Sequence, residues 1–376
     1  MTEKIALMTH FADVNDPRRD QGKRHLLSDI LPLTICAVLS GANTWVEIEE
    51  YGESKRDWLE TFLTLPHGIP SHDTLSDVFA RLDPTELEVA FQSWVTSVAA
   101  AITDVQIHID GKVLRGSGDV SQGKSPLHLV SAWVGEVNLI LGQVKTDDKS
   151  NEITAIPELL KVLVLEGALV TIDAMGTQTP IAEQIVKQGG DYLLAVKGNH
   201  KTMLQDLDEL FAGCDEVGFL DVPHDHAETV NKGHGRIEIR RCQTLSDPQY
   251  LDYIRRRAEW KNLTSVVRIQ RERRVNDKVT TETAYFISSR SATAAYFLNA
   301  VRGHWAIENQ LHWSLDVTFR EDHNQTRTGF AAENLALIRR LALMLLKRET
   351  SVKVGLQAKR LRAGWHNDYL LKILNS

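Results

Sequence analysis

The chain has 376 residues, 43% of them apolar and 25% charged, with a formal net charge of −7. That length and composition suit a globular protein of two or three structural units. No apolar run reaches about 18 residues and no basic-then-apolar leader opens the sequence, which argues against a membrane span or a secretion signal and for a cytoplasmic protein.

Cys36, Cys214 and Cys242 are far apart and form no CxxC pair, so neither a disulfide framework nor a structural zinc site is expected. The acidic balance is unusual for a nucleic-acid binder, whose affinity comes largely from Lys and Arg on phosphates. Basic residues nevertheless concentrate at 255–274 and 339–362, as a phosphate-tracking surface or as ordinary solvated faces.

Residues 1–103 read as a helical N-terminal domain, for DNA binding or dimerisation. Ser28 is a candidate N-cap for a helix through Leu39, which Gly41 stops; Thr44 caps a second carrying Trp45, Ile48, Tyr51 and Trp58 inward. Ser71 or Asp73 opens a third, and Asp83-Pro84 starts a fourth that reaches about residue 102. From residue 105 the pattern turns to strand, with apolar runs at 105–110, 127–134 and 138–145. A helix at 153–166, a strand at 169–173, a helix at 179–188 and a strand at 192–196 follow. Three consecutive strands and then alternating helix and strand predict an α/β fold with a ribonuclease-H-like mixed sheet, in a catalytic domain over 104–350. Residues from about 201 to 290 are expected as a β-rich insertion. Helices return after Ser291, a fair N-cap, and at 331–347; residues 351–376 are expected as a basic C-terminal tail.

Three carboxylates carry the chemical signal. Asp110 ends the first apolar run before Gly111-Lys112, and Asp173 ends the run at 169–173. Strand ends favour catalytic residues and turn-forming Asp alike. Glu308 lies in the helical segment 303–313 with Trp305, Leu311 and His312 at three- and four-residue spacing. Oxygen ligands of this kind suit Mg²⁺, and without a cation their mutual repulsion raises at least one pKa. Two alternatives use the same segment. Glu308 can pair with His304 or His312, one turn away on either side, or His304, Glu308 and His312 can ligate a mononuclear Zn²⁺ or Fe²⁺. Asp147 and Asp148 read as solvated turn residues.

The segments LSDILPLTICAVLSG, IHIDGKVLRGS, KTDDKSNEITAIPELL, VTIDAMGTQ, GGDYLLAVKGNH and HWAIENQLHWSLDVTFRED run in that order over nearly the whole chain. Together they resemble the H-repeat-associated proteins, an insertion-sequence transposase family with the DDE catalytic signature. The resemblance implies a ribonuclease-H-like core in which Asp110, Asp173 and Glu308 match the two Asp and the Glu of that signature and hold two Mg²⁺ (or Mn²⁺) ions per site. It also implies metal-dependent cleavage of DNA ends followed by strand transfer, on double-stranded DNA at element ends and target, by a homodimer assembled on DNA. A β-rich insertion is frequent in the broader superfamily. Many of those wider relatives carry Tyr, Arg and Lys where this chain has Val301, His304 and Leu315. His304 replaces that Arg as a cation only when protonated, and Arg302 is the nearby alternative.

Lys112, Lys197, Arg302, His304 and Arg327 are candidates for contacts with DNA phosphates. Trp260 is a candidate for stacking on an unpaired base, with a core position as its plain alternative. No Ser-His-Asp, Cys-His or P-loop pattern competes. The rival functions are a domesticated DNA-binding or regulatory protein and a structure-specific nuclease that cuts without joining.

Overall fold

Strand β1 (Gln106–Leu114) pairs antiparallel with β2 (Leu127–Val134), and β2 pairs antiparallel with β3 (Leu139–Lys145). On its other side β1 runs parallel to β4 (Leu169–Ile172), which runs parallel to β5 (Asp191–Val196). The helices Glu152–Lys161 and Thr179–Lys187 make the two crossovers. This is the ribonuclease-H-like mixed sheet expected from the strand and helix order. The structure is a computed structural model describing residues 6–19, 21, 23–99, 105–146, 152–233, 235–276 and 278–376, with the backbone alone at Val120. Asp147 and Asp148 lie outside the described residues.

The four strands β6 (Asp225–Gly233), β7 (Arg236–Leu245), β8 (Ser265–Val275) and β9 (Lys278–Ser288) fall within the region expected as an insertion. They extend this sheet itself, which has nine strands in the order β3-β2-β1-β4-β5-β9-β8-β7-β6. The join is antiparallel pairing of β5 with β9, Leu194 opposite Ile287. Apolar side chains at these ends of the strands, Val266 and Ile287 among them, share a core with Leu194 and Val196. The outer halves of β6 and β9 carry mostly exposed polar residues, so the hairpins project from the sheet.

Helices cover both faces. On one, Ala155, Leu159, Ile181, Ile185 and Leu207 pack on Ile107, Ile109, Val170 and Leu194. On the other, Phe297, Leu298 and Val301 of the helix Ala294–Ala306 pack on Leu193, Val267 and Ile269. Burial of each such side chain contributes roughly 1.5–3 kcal/mol.

A third core joins the two ends of the chain. Ile30, Leu33, Phe79 and Phe91 from the N-terminal helices pack with Leu335, Leu341 and Leu345 from the helix Ala331–Arg348 and with Leu370 and Ile373 from the last helix. Residues 351–376 thus include two packed helices, Leu356–Trp365 and Asn367–Leu374. The basic cluster at 339–362 turns inward with them: Arg339, Arg340, Lys359 and Arg360 are buried. Arg360 donates to the carbonyls of Val38 and Ala42, and Arg340 pairs with Glu321 at 2.9 Å. The cluster at 255–274 is largely neutralised too, by Arg255–Asp206, Arg256–Glu259, Arg257–Asp252 and Arg268–Asp215 pairs. Lys and Arg side chains that are close in sequence lose much of a phosphate-facing surface when carboxylates or backbone carbonyls engage most of them.

Several helix starts match their sequence signals. Thr44 and Glu47 form a capping box, and the Ser71 hydroxyl accepts from the Thr74 N–H. Two differ: Leu26 precedes the helix Leu27–Leu39 with no side-chain cap, and Thr293, two residues after Ser291, caps the helix Ala294–Ala306. Among the described residues no helix is long and apolar enough to cross a membrane.

Candidate active site

Asp110 is not a strand end. β1 continues to Leu114, with Gly111 opposite Val130 of β2. Exposure comes from the other neighbour: β4 pairs with β1 only as far as Ile172 opposite Ile109. Beyond that point β4 leaves the sheet, so Asp110 and Asp173 lie one step past the last paired residues of adjacent parallel strands. The Asp173 carboxylate accepts from the N–H groups of Met175 (3.0 Å) and Gly176 (3.3 Å), which fixes the turn into the next helix.

Glu308 arrives from the opposite direction. After Ala306 the helix widens into a π-helical turn, Ile307–His312, before the α-helix Trp313–Thr318. Such turns shift side chains out of α-register and recur at functional sites. Glu308 is exposed. Asp110, Asp173 and Glu308 line one cleft of 420 Å³, together with Lys197, His304 and Trp305.

A fourth carboxylate belongs to the same neighbourhood. Glu152, the first residue of its helix, is buried with Oε1 at 3.0 Å from His128 Nε2. A Cβ on residue 111 would overlap that carboxylate and the His128 ring, so Gly111 is what lets them approach the strand beside Asp110. Burial, and then the charges of Glu152, Asp173 and Glu308, push the Asp110 carboxyl up to about 7. Burial and the Asp173 charge likewise raise the Glu152 carboxyl.

Burial holds His304 and His312 well below the usual histidine range. Burial lowers His304 to about 4, against the raising effect of Asp173. Its Nδ1 lies 3.0 Å from Thr171 Oγ1, which lies 2.8 Å from His108 Nδ1. Burial lowers His312 to about 3; its Nδ1 sits 3.5 Å from Asp110 Oδ2 and its buried Nε2 has no partner. His304 and His312 therefore serve different partners, and neither pairs with Glu308.

By type, the donors suit a hard divalent cation: they are carboxylate oxygens, crowded enough to keep a proton on Asp110 near neutral pH. Among the described residues, no three Asp, Glu, His or Cys side chains converge tightly enough to enclose an ion. The side chains would have to draw together around one.

Comparison with known proteins gives the family of the chain. The family model described as "Transposase DDE domain" matches residues 102–345, and one described as "DDE_Tnp_1-associated" matches residues 8–95. The chain belongs to the DDE transposase family. It is 41% identical to the Escherichia coli (strain K12) protein named "H repeat-associated putative transposase YhhI", over 98% of this chain and 97% of that one. It is also 41% identical to a Xanthobacter autotrophicus protein named "Uncharacterized protein in dhlA 3'region", over 75% of this chain and 94% of that one. Among solved structures, a piggyBac transposase synaptic complex with hairpin DNA is matched over 92% of this chain and 73% of that one, with 9% identity and a TM-score of 0.41.

The side chains suggested for DNA contact separate into two groups. Lys197 is exposed at the cleft, and Arg302 is exposed on an adjoining groove lined also by Arg236, Arg240, Arg271 and Arg273. The others are engaged. Lys112 is buried between Asp316 (2.6 Å) and Asp322 (3.4 Å). Arg327 pairs with Asp119 at 3.0 Å and donates to the Gly116 carbonyl, which ties two loops together. His304 lines the cleft as a neutral ring and so does not replace an Arg by charge. Trp260 is 5% exposed, packed edge-on to His200 in the core, which leaves no face for a base.

Two residues of the site were missed from sequence. Glu152 could have been sought as the acidic first residue of the helix after the third strand, inside the KTDDKSNEITAIPELL segment. Trp305 is 44% exposed, lies under the Arg271 guanidinium at 4.9 Å, and borders both the cleft and the arginine-lined groove. Its exposure has no sequence signal, because apolar spacing alone places a helical Trp inside.

Proposed function

We propose that the chain cuts DNA at the ends of an insertion sequence and joins the freed ends to target DNA, with Asp110, Asp173 and Glu308 as its catalytic carboxylates around two Mg²⁺ (or Mn²⁺) ions. The observation that carries this reading is the shared cleft, to which β1, the end of β4 and a π-helical turn each bring one carboxylate.

In the cutting step, a water oxygen bonds to the scissile phosphorus as the bond to the 3′-oxygen breaks. In the joining step, that 3′-hydroxyl attacks a target phosphodiester and another oxygen leaves. When bound, the cations would lower the pKa of the attacking oxygen and stabilise charge on the leaving one. Asp110 would hold a cation as the anion, its proton passing to solvent water. His304, held by Thr171, offers a hydrogen bond to a phosphate oxygen; Lys197 offers a charge. Trp305 takes the stacking role that Trp260 cannot fill, a contact worth roughly 1–3 kcal/mol per base. Joining two ends calls for two copies on the DNA.

The test is Mg²⁺- or Mn²⁺-dependent cleavage and strand transfer on labelled DNA carrying the element ends. Wild type is expected to cut and join, and Asp110→Asn, Asp173→Asn and Glu308→Gln to do neither while still binding DNA. Activity in any of the three overturns the site. Cutting without joining on pre-cleaved ends points to a nuclease, and binding alone to a regulatory protein.

A further inference from the structure

We propose that Glu152 is a fourth functional carboxylate of this site, a positioning residue that His128 holds in place and that orients the water around a cation bound by Asp110 and Asp173. The inference rests on the three-carboxylate reading above and deepens it.

The plain account of Glu152 is local: an acidic side chain at a helix start meets the positive end of the helix dipole. That does not explain its position. The carboxylate is turned away from solvent, 9% exposed, onto the backbone of Gly111. Any other residue at 111 would put a Cβ into it. The chain thus places a buried acid against the strand residue next to Asp110, a crowding of like charges that either a proton or a cation relieves.

His128 supplies the fixing element. It stands on β2 opposite Val113 of β1, and its Nε2 donates to Glu152 Oε1 at 3.0 Å. A carboxylate held by a ring on a neighbouring strand has a defined direction, which is what an outer partner of a hydrated cation requires. Mg²⁺ keeps several of its waters, and groups that hold such outer contacts typically change metal affinity by about 10–100-fold when removed.

The experiment measures Mn²⁺ binding to the full-length, DNA-free protein by titration calorimetry. Wild type, Glu152→Gln, Glu152→Asp, Gly111→Ala and Asp110→Asn are compared, with unfolding in metal-free buffer as the check on folding. Glu152→Gln is expected to weaken Mn²⁺ about 10-fold or more, with partial recovery in Glu152→Asp. Gly111→Ala, which displaces the carboxylate without changing any charge, is expected to weaken it as well, and it carries the test if Glu152→Gln does not fold. Glu152→Gln within twofold of wild type, with Asp110→Asn unable to bind, overturns the role of Glu152 and leaves the site intact. Asp110→Asn binding like wild type overturns the site itself. A wild type that takes up no Mn²⁺ overturns both.

Discussion

At Asp110 local chemistry departs far from what the residue type suggests. Burial and three neighbouring carboxylates raise its pKa from 3.8 to about 7. The folded chain then holds a proton between those values that the unfolded chain has released, so the Asp110 contribution to stability falls as pH rises from about 4 to about 7. Below that window both states are protonated and the effect vanishes. Asp110→Asn removes the charge at little cost in shape, so in metal-free buffer at pH 8 it is expected to stabilise the fold by on the order of 1–3 kcal/mol. Urea unfolding at pH 8 and pH 4 checks this: the gain should disappear at the lower pH. A gain that persists at pH 4 would mean that packing, not charge, is responsible.

At the scale of elements, the π-helical turn Ile307–His312 decides where Glu308 points. Asn309 is exposed within it, and deleting that residue is expected to return the helix to regular α-form. Stability should then change by no more than about 1–2 kcal/mol, whereas cleavage should drop by about 100-fold or more, because displacement by about an ångström is enough to cost that much. Circular dichroism and the labelled-end cleavage assay read the two effects separately. The capping box at Thr44 gives a simpler expectation. Thr44→Ala leaves the Glu47 N–H without its side-chain acceptor and should cost about 1 kcal/mol in urea unfolding.

At the scale of the molecule, the first and last helices share one core, and an ion pair is buried beside it. Glu321 and Arg340 are both fully buried and joined at 2.9 Å. Removing one partner strands the other charge, so Glu321→Gln is expected to destabilise by about 3–5 kcal/mol in chemical denaturation. Truncating residues 351–376 removes Leu370 and Ile373 from that core and Arg360 from the carbonyls of Val38 and Ala42. Limited proteolysis of the truncated chain should accordingly cut within the N-terminal helices, far from the new end. Protection of those helices in the truncated chain would show instead that they fold independently.

Much of this was written locally. Hydrophobic runs bounded by turn residues, and the order of strands and helices, predict the mixed sheet, because backbone hydrogen bonding and side-chain alternation act over a few residues. The three carboxylates stand in recognisable segments, so their type and order were legible as well. Four features were not. Whether Asp110 ends its strand depends on where β4 departs; which Trp is exposed depends on what packs over it. Whether an Arg faces DNA depends on the acid that reaches it from elsewhere in the chain. Glu152 joins the site only because a glycine on another element leaves room. Each of these is settled by contacts between segments distant in sequence, and a local pattern carries no record of them. The sequence by itself determined the elements, their order and the chemical character of the site; tertiary packing alone decided which charges stay free and which carboxylates meet.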